Sequence, residues 1–398
     1  MHGVLRPAWG GWLGVVVLAV AGVHASSAAA APHYHLAQQL PLPGDEGWDY
    51  LAFEPGGQRL FIAHGTHVLV VDADKLTVVG EIAETAGVHG IALAPELNRG
   101  FVSAGRAGVI VVFDLKTLAR LKEIKTTGDN PDAILYDPAT KRVFTFNGRG
   151  RNVTAVDART EAVIGTVPLD AKPEFAVSDG KGRVYVNLED RNSIALIDPS
   201  ALKVAAIWPV AGCEGPSGLA LAAAAERLFT VCANQVMAVV NARSGALVGT
   251  APIGAGVDAA IYDTGVRLAF ASCGEGVLTA VALGRAGLPE VVQSVATQRG
   301  ARTMALDERN HRIFLVTADF GAPPPATPEQ PRPRPQIVPR SFRLLVVEPH
   351  TGTGNAAPGN PPHGNASHGN ASHDNTSHGN TSHGNTSPGS APPGGTQS

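Results

Sequence analysis

RVYVNLEDRNSIALID, Arg183 to Asp198, holds two short apolar runs, VYVNL and SIALID, joined by a polar turn and closed by an aspartate. Short β-branched and aliphatic runs on either side of a turn form a β-hairpin. The same pattern recurs along the chain, in segments that begin at Trp48, Val88, Pro131, Pro173, Pro216, Val257 and Ala301. Their spacings are 40, 43, 42, 43, 41 and 44 residues. Each opens with a short strand, as in HGIALAP, DAILYDP and SGLALAA. An arginine follows ten or eleven residues later (Arg59, Arg99, Arg142, Arg183, Arg227, Arg267, Arg312), and a second strand comes directly after it. A third strand commonly ends in Asp72, Asp114, Asp157, Asp198 or Asn241, and a fourth follows.

Four strands in about 42 residues, repeated seven times, predict an all-β fold: a seven-bladed β-propeller of four-stranded antiparallel blades. One blade cannot cover both faces of its own sheet, so the blades must pack around a common axis. The repeated Asp and Arg are expected to serve turns and strand ends. The seventh repeat lacks a fourth strand, whereas HYHLAQQLPL (His33 to Leu42) is a strand without a repeat. That N-terminal strand is expected to pair with the segment around Phe342 to Glu348 and close the ring.

The stretch RVYVNLEDRNSIALIDPSALKVAAIWPVAGCEGPSGLAL resembles the YVTN repeat of the YncE-like periplasmic propellers. The likeness runs over Trp48 to Glu348 and is strongest in the fourth repeat. Phe or Ala often replaces the Tyr in the others. The resemblance implies an exported propeller of a family with no single settled activity.

The two ends differ from this region. Arg6 followed by WLGVVVLAVAGV (Trp12 to Val23) and HASSAAAAP has the form of a secretory signal, placed at residues 1–30. Twelve apolar residues are too few to span a bilayer, so no transmembrane segment is expected after cleavage. Periplasmic or secreted localisation follows as an expectation, with the propeller at 33–349 and a tail at 350–398. The tail repeats HGNAS-like units every five residues and is almost without apolar side chains. Such a segment cannot offset its ordering entropy and is expected to be disordered. Its His363, His368, His373, His378 and His383 would bind metals weakly and without one geometry. Replication slippage accounts for the regularity equally well.

With a net charge of −3 and no basic cluster, the chain has no electrostatic basis for nucleic-acid binding. No Cys-x-x-Cys-His, Gly-x-Ser-x-Gly, His-Glu-x-x-His or phosphate-binding glycine loop occurs in the folded region. Cys213, Cys232 and Cys273 fall on the rim carrying the loops before the innermost strands, the top rim. In an exported protein the expected disulfide is Cys213 with Cys232, leaving Cys273 free, and Cys232 with Cys273 is the alternative.

The second position of each repeat reads Asp49, His89, Asp132, Glu174, Ser217, Asp258 and Arg302. These residues begin the innermost strands and should face the mouth of the central channel. His64, Asn147 and Asn187 end second strands and are expected nearby. Carboxylates with imidazoles suit a divalent metal, the one cofactor these residues suggest, or a polar ligand. A water-filled channel lined by polar groups is the plainer alternative. The proline-rich insertion Asp319 to Ser341 carries Arg332, Arg334 and Arg340 and suits a lid or a docking strip on the same rim. The chain is expected to be a monomeric binding or scaffold propeller that takes a small ligand, metal or protein partner in this funnel. A propeller hydrolase acting on a sugar lactone, and metal handling through the tail and funnel, are the alternatives.

Overall fold

The computed structural model describes residues 1–3, 31–54, 56–327, 333 and 335–350. The apolar core and cleavage region of the expected signal, the whole histidine tail, Arg332 and Arg334 lie outside the described residues. No helix among the described residues is long and apolar enough to cross a membrane.

The strands form seven four-stranded antiparallel sheets. The first blade comprises Trp48–Phe53, Arg59–His64, His67–Asp72 and Thr77–Ile82, here called strands A to D from the axis outward. The remaining A strands are Val88–Ala94, Pro131–Asp137, Pro173–Ser178, Pro216–Ala222, Val257–Asp263 and Met304–Asp307. In blade 7 the outermost strand is Tyr34–Pro41, paired antiparallel with Arg343–Pro349 from Tyr34↔Pro349 to Pro41↔Arg343. The N-terminal strand closes the ring, as the missing fourth strand of the seventh repeat predicts.

Side chains alternate across a strand, and each B strand feeds two seams. Leu60 and Ile62 pack toward blade 7 with Phe314, Phe342 and Trp48. Phe61 and Ala63 pack toward blade 2 with Val102 and Phe113. The same division repeats around the ring, one apolar cluster to each seam. The core is therefore a ring of wedges, and the axis itself is left free for other chemistry.

The recurrent acid at the end of strand C makes the C–D turn. Asp157 Oδ1 accepts the backbone N–H groups of Arg159 and Thr160, both at 2.9 Å. Asp72, Asp114, Asp198 and Asn241 accept the amides two and three residues onward in the same way. The fourth residue after each then takes positive φ: Leu76, Leu118, Glu161, Leu202 and Gly245. Side chains that cap their own backbone are the usual means of fixing such turns.

Several of the recurrent arginines reach beyond their own turns. Arg99 Nε bonds Glu161 of the next blade at 2.8 Å. Arg142 donates to the carbonyls of Pro199 and Ser200, and Arg312 to Ala73 O at 3.3 Å. Each runs from the start of strand B to the C–D turn of the following blade. These three staple blade to blade at the bottom rim.

Candidate functional site

In six blades the pairing of strands A and B slips near the start of strand A, as between Trp48 and Leu51 or Pro131 and Ile134. Such irregularities bend a strand and re-aim its side chains. Here they turn the second residue of those six repeats toward the axis. Neighbouring blades then lock the backbone there. Ser103 Oγ donates to Asp132 O at 2.5 Å, Ser272 Oγ to Arg302 O at 2.5 Å and Thr303 Oγ1 to Asp49 O at 2.7 Å.

Around the mouth, His89 Nδ1 lies 2.7 Å from Asp49 Oδ2 and 3.6 Å from Asp132 Oδ1. Arg302 Nε bonds Asp258 Oδ2 at 2.7 Å. Lys172 Nζ bonds Glu174 at 2.5 Å and also reaches Glu189. Ligand atoms of Asp49, His89 and Asp132 all fall within 4.8 Å of one another. These six second-position residues, together with Lys172, form one polar ring that only partly neutralises itself.

Electrostatics record the crowding. Burial pushes the Asp132 carboxyl up to about 6, with the Asp49 charge adding to burial and the His89 imidazole opposing it. Burial, and then the charge of Asp132, hold Glu174 at about 8 despite the Lys172 ammonium. Burial raises Asp258 although Arg302 opposes it. Burial works against the His89 cation, yet its bond to Asp49 and the surrounding carboxylates raise its pKa on balance.

Below this ring lies a feature absent from the sequence reading. Tyr50, next to Asp49, donates its hydroxyl to Asp258 O at 3.0 Å and stacks on Phe175 with centroids 4.7 Å apart. Tyr50 belongs to blade 1, Phe175 to blade 4 and Asp258 to blade 6, so the pair bridges the channel. Beneath it is a cavity of about 500 Å³ lined chiefly by apolar side chains, among them Leu135, Val177 and Ile261. The third position of the repeats was the available signal, because Tyr50 and Phe175 stand there among Gly90, Ala133, Gly218 and Ala259. Lys172, one residue before its strand, was likewise missed.

Three residues expected at the mouth are held elsewhere. Asn187 Nδ2 donates to Ser217 O at 2.8 Å and Gly218 O at 3.1 Å, clamping blade 4 to blade 5. Asn147 is buried within blade 3 against Asn152 and Thr154. His64 is buried at the seam of blades 7 and 1, stacked 4.3 Å from Phe342. The reason is common to all three: strand B lies one strand away from the axis, so its last side chain fills a seam. Burial, and then His67, hold the His64 imidazole down at about 4, which leaves it neutral.

The proline-rich insertion stands on the same rim. Phe320 pairs with Ile337 and lies 6.0 Å from the Trp48 ring, and Arg340 N donates to Asp45 at 2.5 Å. It walls a cavity of about 520 Å³ that includes Trp48, Arg299, Arg302 and Phe320, adjoining the mouth through Arg302. Cys213 and Cys232 are bridged, with Cα atoms 5.4 Å apart, and Cys273 is a buried free thiol.

No family model matches the chain. A curated relative, antigen Lp49 of Leptospira interrogans, is 30% identical over 125 residues, covering 31% of this chain and 24% of the relative. The chain thus aligns with about a quarter of that protein's length. Among solved structures, a Kuenenia stuttgartiensis hydrazine synthase chain superposes with TM-score 0.60 at 16% identity, over 69% of this chain and 93% of that one. The WD40 repeats of RRP9 give 0.66 at 8% identity, over 80% and 99%. A chain of the mitotic checkpoint complex gives 0.63 at 14%, over 84% and 98%. Likeness at such identity establishes the propeller fold and its WD40-like form; chemistry must come from the site.

Proposed function

We propose that this chain is an exported, YncE-like binding propeller whose top-face funnel takes a cationic ligand, foremost a divalent metal ion. The observation that carries this reading is the convergence of Asp49, His89 and Asp132, with ligand atoms within 4.8 Å of one another. Glu174 and Asp258 stand on the same ring. Carboxylates gathered at a half-buried mouth repel one another and hold protons until a cation arrives. Mixed oxygen and imidazole donors suit a transition ion or a cationic group carried by a partner. The Tyr50–Phe175 pair floors the site, and the insertion gives it an apolar wall at Trp48 and Phe320.

Export is supported by the signal-like N-terminus and by the Cys213–Cys232 bridge, since such bridges persist in oxidising compartments. Titration calorimetry of the full-length protein with Mn²⁺, Zn²⁺ and Ca²⁺ tests the funnel. Binding that Asp132→Asn weakens about tenfold or more supports the reading. Equal binding by wild type and by the Asp132→Asn, Glu174→Gln, Asp258→Asn triple variant removes the funnel as the site. A lactone-hydrolysis panel on the same samples decides the hydrolase alternative.

A further inference from the structure

A second group of metal-type side chains lies away from the channel, beside the seam where blade 7 meets blade 1. His64 ends strand B of blade 1, His67 begins strand C, and Gly65 and Thr66 form the turn between them. His64 Nδ1 stands 3.3 Å from His67 Nε2. A carboxylate oxygen of Glu46, from the segment entering blade 1, completes a set of three ligand atoms within 4.8 Å of one another. We propose that Glu46, His64 and His67 bind a divalent ion of the Zn²⁺ class, which fastens the segment entering blade 1 to the first hairpin.

The spacing of the rings is the first argument. Two imidazole nitrogens bound to one tetrahedral Zn²⁺ at ordinary bond lengths stand about 3.3 Å apart. The same separation is long for a hydrogen bond between ring nitrogens. His64 Nε2 is buried without a hydrogen-bond partner, and its Nδ1 faces the His67 nitrogen. Two facing imidazoles can share only one proton, whereas an ion between them engages both lone pairs.

Glu46 is also prepared. Thr66 N donates to its Oε2 at 2.7 Å, and Thr66 Oγ1 lies 3.1 Å from both oxygens. Hydrogen bonds of that kind orient a ligating carboxylate. The backbone is moulded to the group by two glycines at positive φ, Gly44 (+100°) and Gly65 (+57°). A Cβ on Gly44 would sit 2.2 Å from His64 Cε1, and one on Gly65 would sit 1.8 Å from Glu46 Oε2. Two imidazoles and one carboxylate favour Zn²⁺ over Ca²⁺ or Mg²⁺, and exposed Glu46 leaves a fourth position on the solvent side for water.

The neighbours explain what such an ion would do. Asp45 accepts Arg340 N, Leu42 N donates to Phe342 O at 2.9 Å, and Phe342 stacks on His64. An ion at Glu46 would tie blade 1 to the segment that has just completed blade 7.

The test uses the full-length protein with all five tail histidines changed to Ala in place, which removes the tail as a competing chelator. Co²⁺ should give the intense visible absorption of a four-coordinate site, displaced by Zn²⁺. Saturating Zn²⁺ should raise the unfolding midpoint by several degrees. His67→Ala, a half-buried position, should abolish the Co²⁺ signal and the midpoint shift, and Glu46→Gln should weaken Zn²⁺ about tenfold or more. Absence of both signals in the parent overturns the proposal, as does their persistence in His67→Ala. Loss in His89→Ala with retention in His67→Ala also overturns it, because the ion then belongs to the funnel.

Discussion

Asp132 and Glu174 bind their protons more tightly in the folded ring than in the unfolded chain, where both titrate near 4. The sign follows from the raised values of about 6 and about 8. Their stabilising contribution is complete below about pH 4 and is lost as pH rises through those values. The unfolding midpoint of the metal-free protein should therefore carry a downward slope between pH 4 and pH 8. Asp132→Asn and Glu174→Gln should each flatten that slope and stabilise the empty protein by roughly 1 kcal/mol at pH 8. Identical pH profiles in wild type and both variants would show that these carboxyls are not frustrated. The axial residues were legible because the repeat fixes a position in every blade, and position two recurs at the top of strand A. Tyr50 and Phe175 were not, since the stack joins blades 1 and 4 and no local spacing encodes that meeting. His64, Asn147 and Asn187 carry polar side chains of the right kind, but the seam claims them.

At the scale of the strand and its turn, the aspartates ending strand C act by accepting two amides. Asn has the same acceptor, and Asn241 does this work in blade 5. Asp157→Asn should be nearly neutral, whereas Asp157→Ala should cost about 1 kcal/mol, measured by denaturant midpoint. The bridge Cys213–Cys232 spans 19 residues and joins the approach to strand A of blade 5 with the end of its strand B. Cys213→Ser should lower stability by about 3 kcal/mol. Reductant should lower wild type to the same level and leave the Cys213→Ser, Cys232→Ser double variant unchanged. An equal response of the double variant to reductant would assign the effect to something other than this bridge. The strands and acid-capped turns were legible because each is encoded within one repeat. The arginine staples were not, because Arg99 and Arg142 find their acceptors on the next blade.

For the whole ring, closure depends on Tyr34–Pro41 pairing with Arg343–Pro349. Removing residues 33–42 exposes the edge of that last strand, and an open edge recruits other chains. The deletion variant should unfold at a lower temperature and form oligomers by size-exclusion chromatography. A synthetic peptide of residues 33–42 should restore a monomer by filling the vacant strand. A monomeric deletion variant with an unchanged midpoint would mean that the seam holds without it.

That same pairing makes the fold a test of completeness. During synthesis Tyr34–Pro41 is among the first ordered segments to emerge, yet its partner does not exist until Pro349 has followed. A chain cut short before that point keeps a raw edge at both sides of the gap, and any protease or chaperone that recognises unpaired strands can tell it from a finished molecule. Once the two ends meet, Tyr34–Pro41 covers the edge of Arg343–Pro349. The ring is thus complete only when its last strand has been made, and its first strand then lies over that strand as the outermost of blade 7.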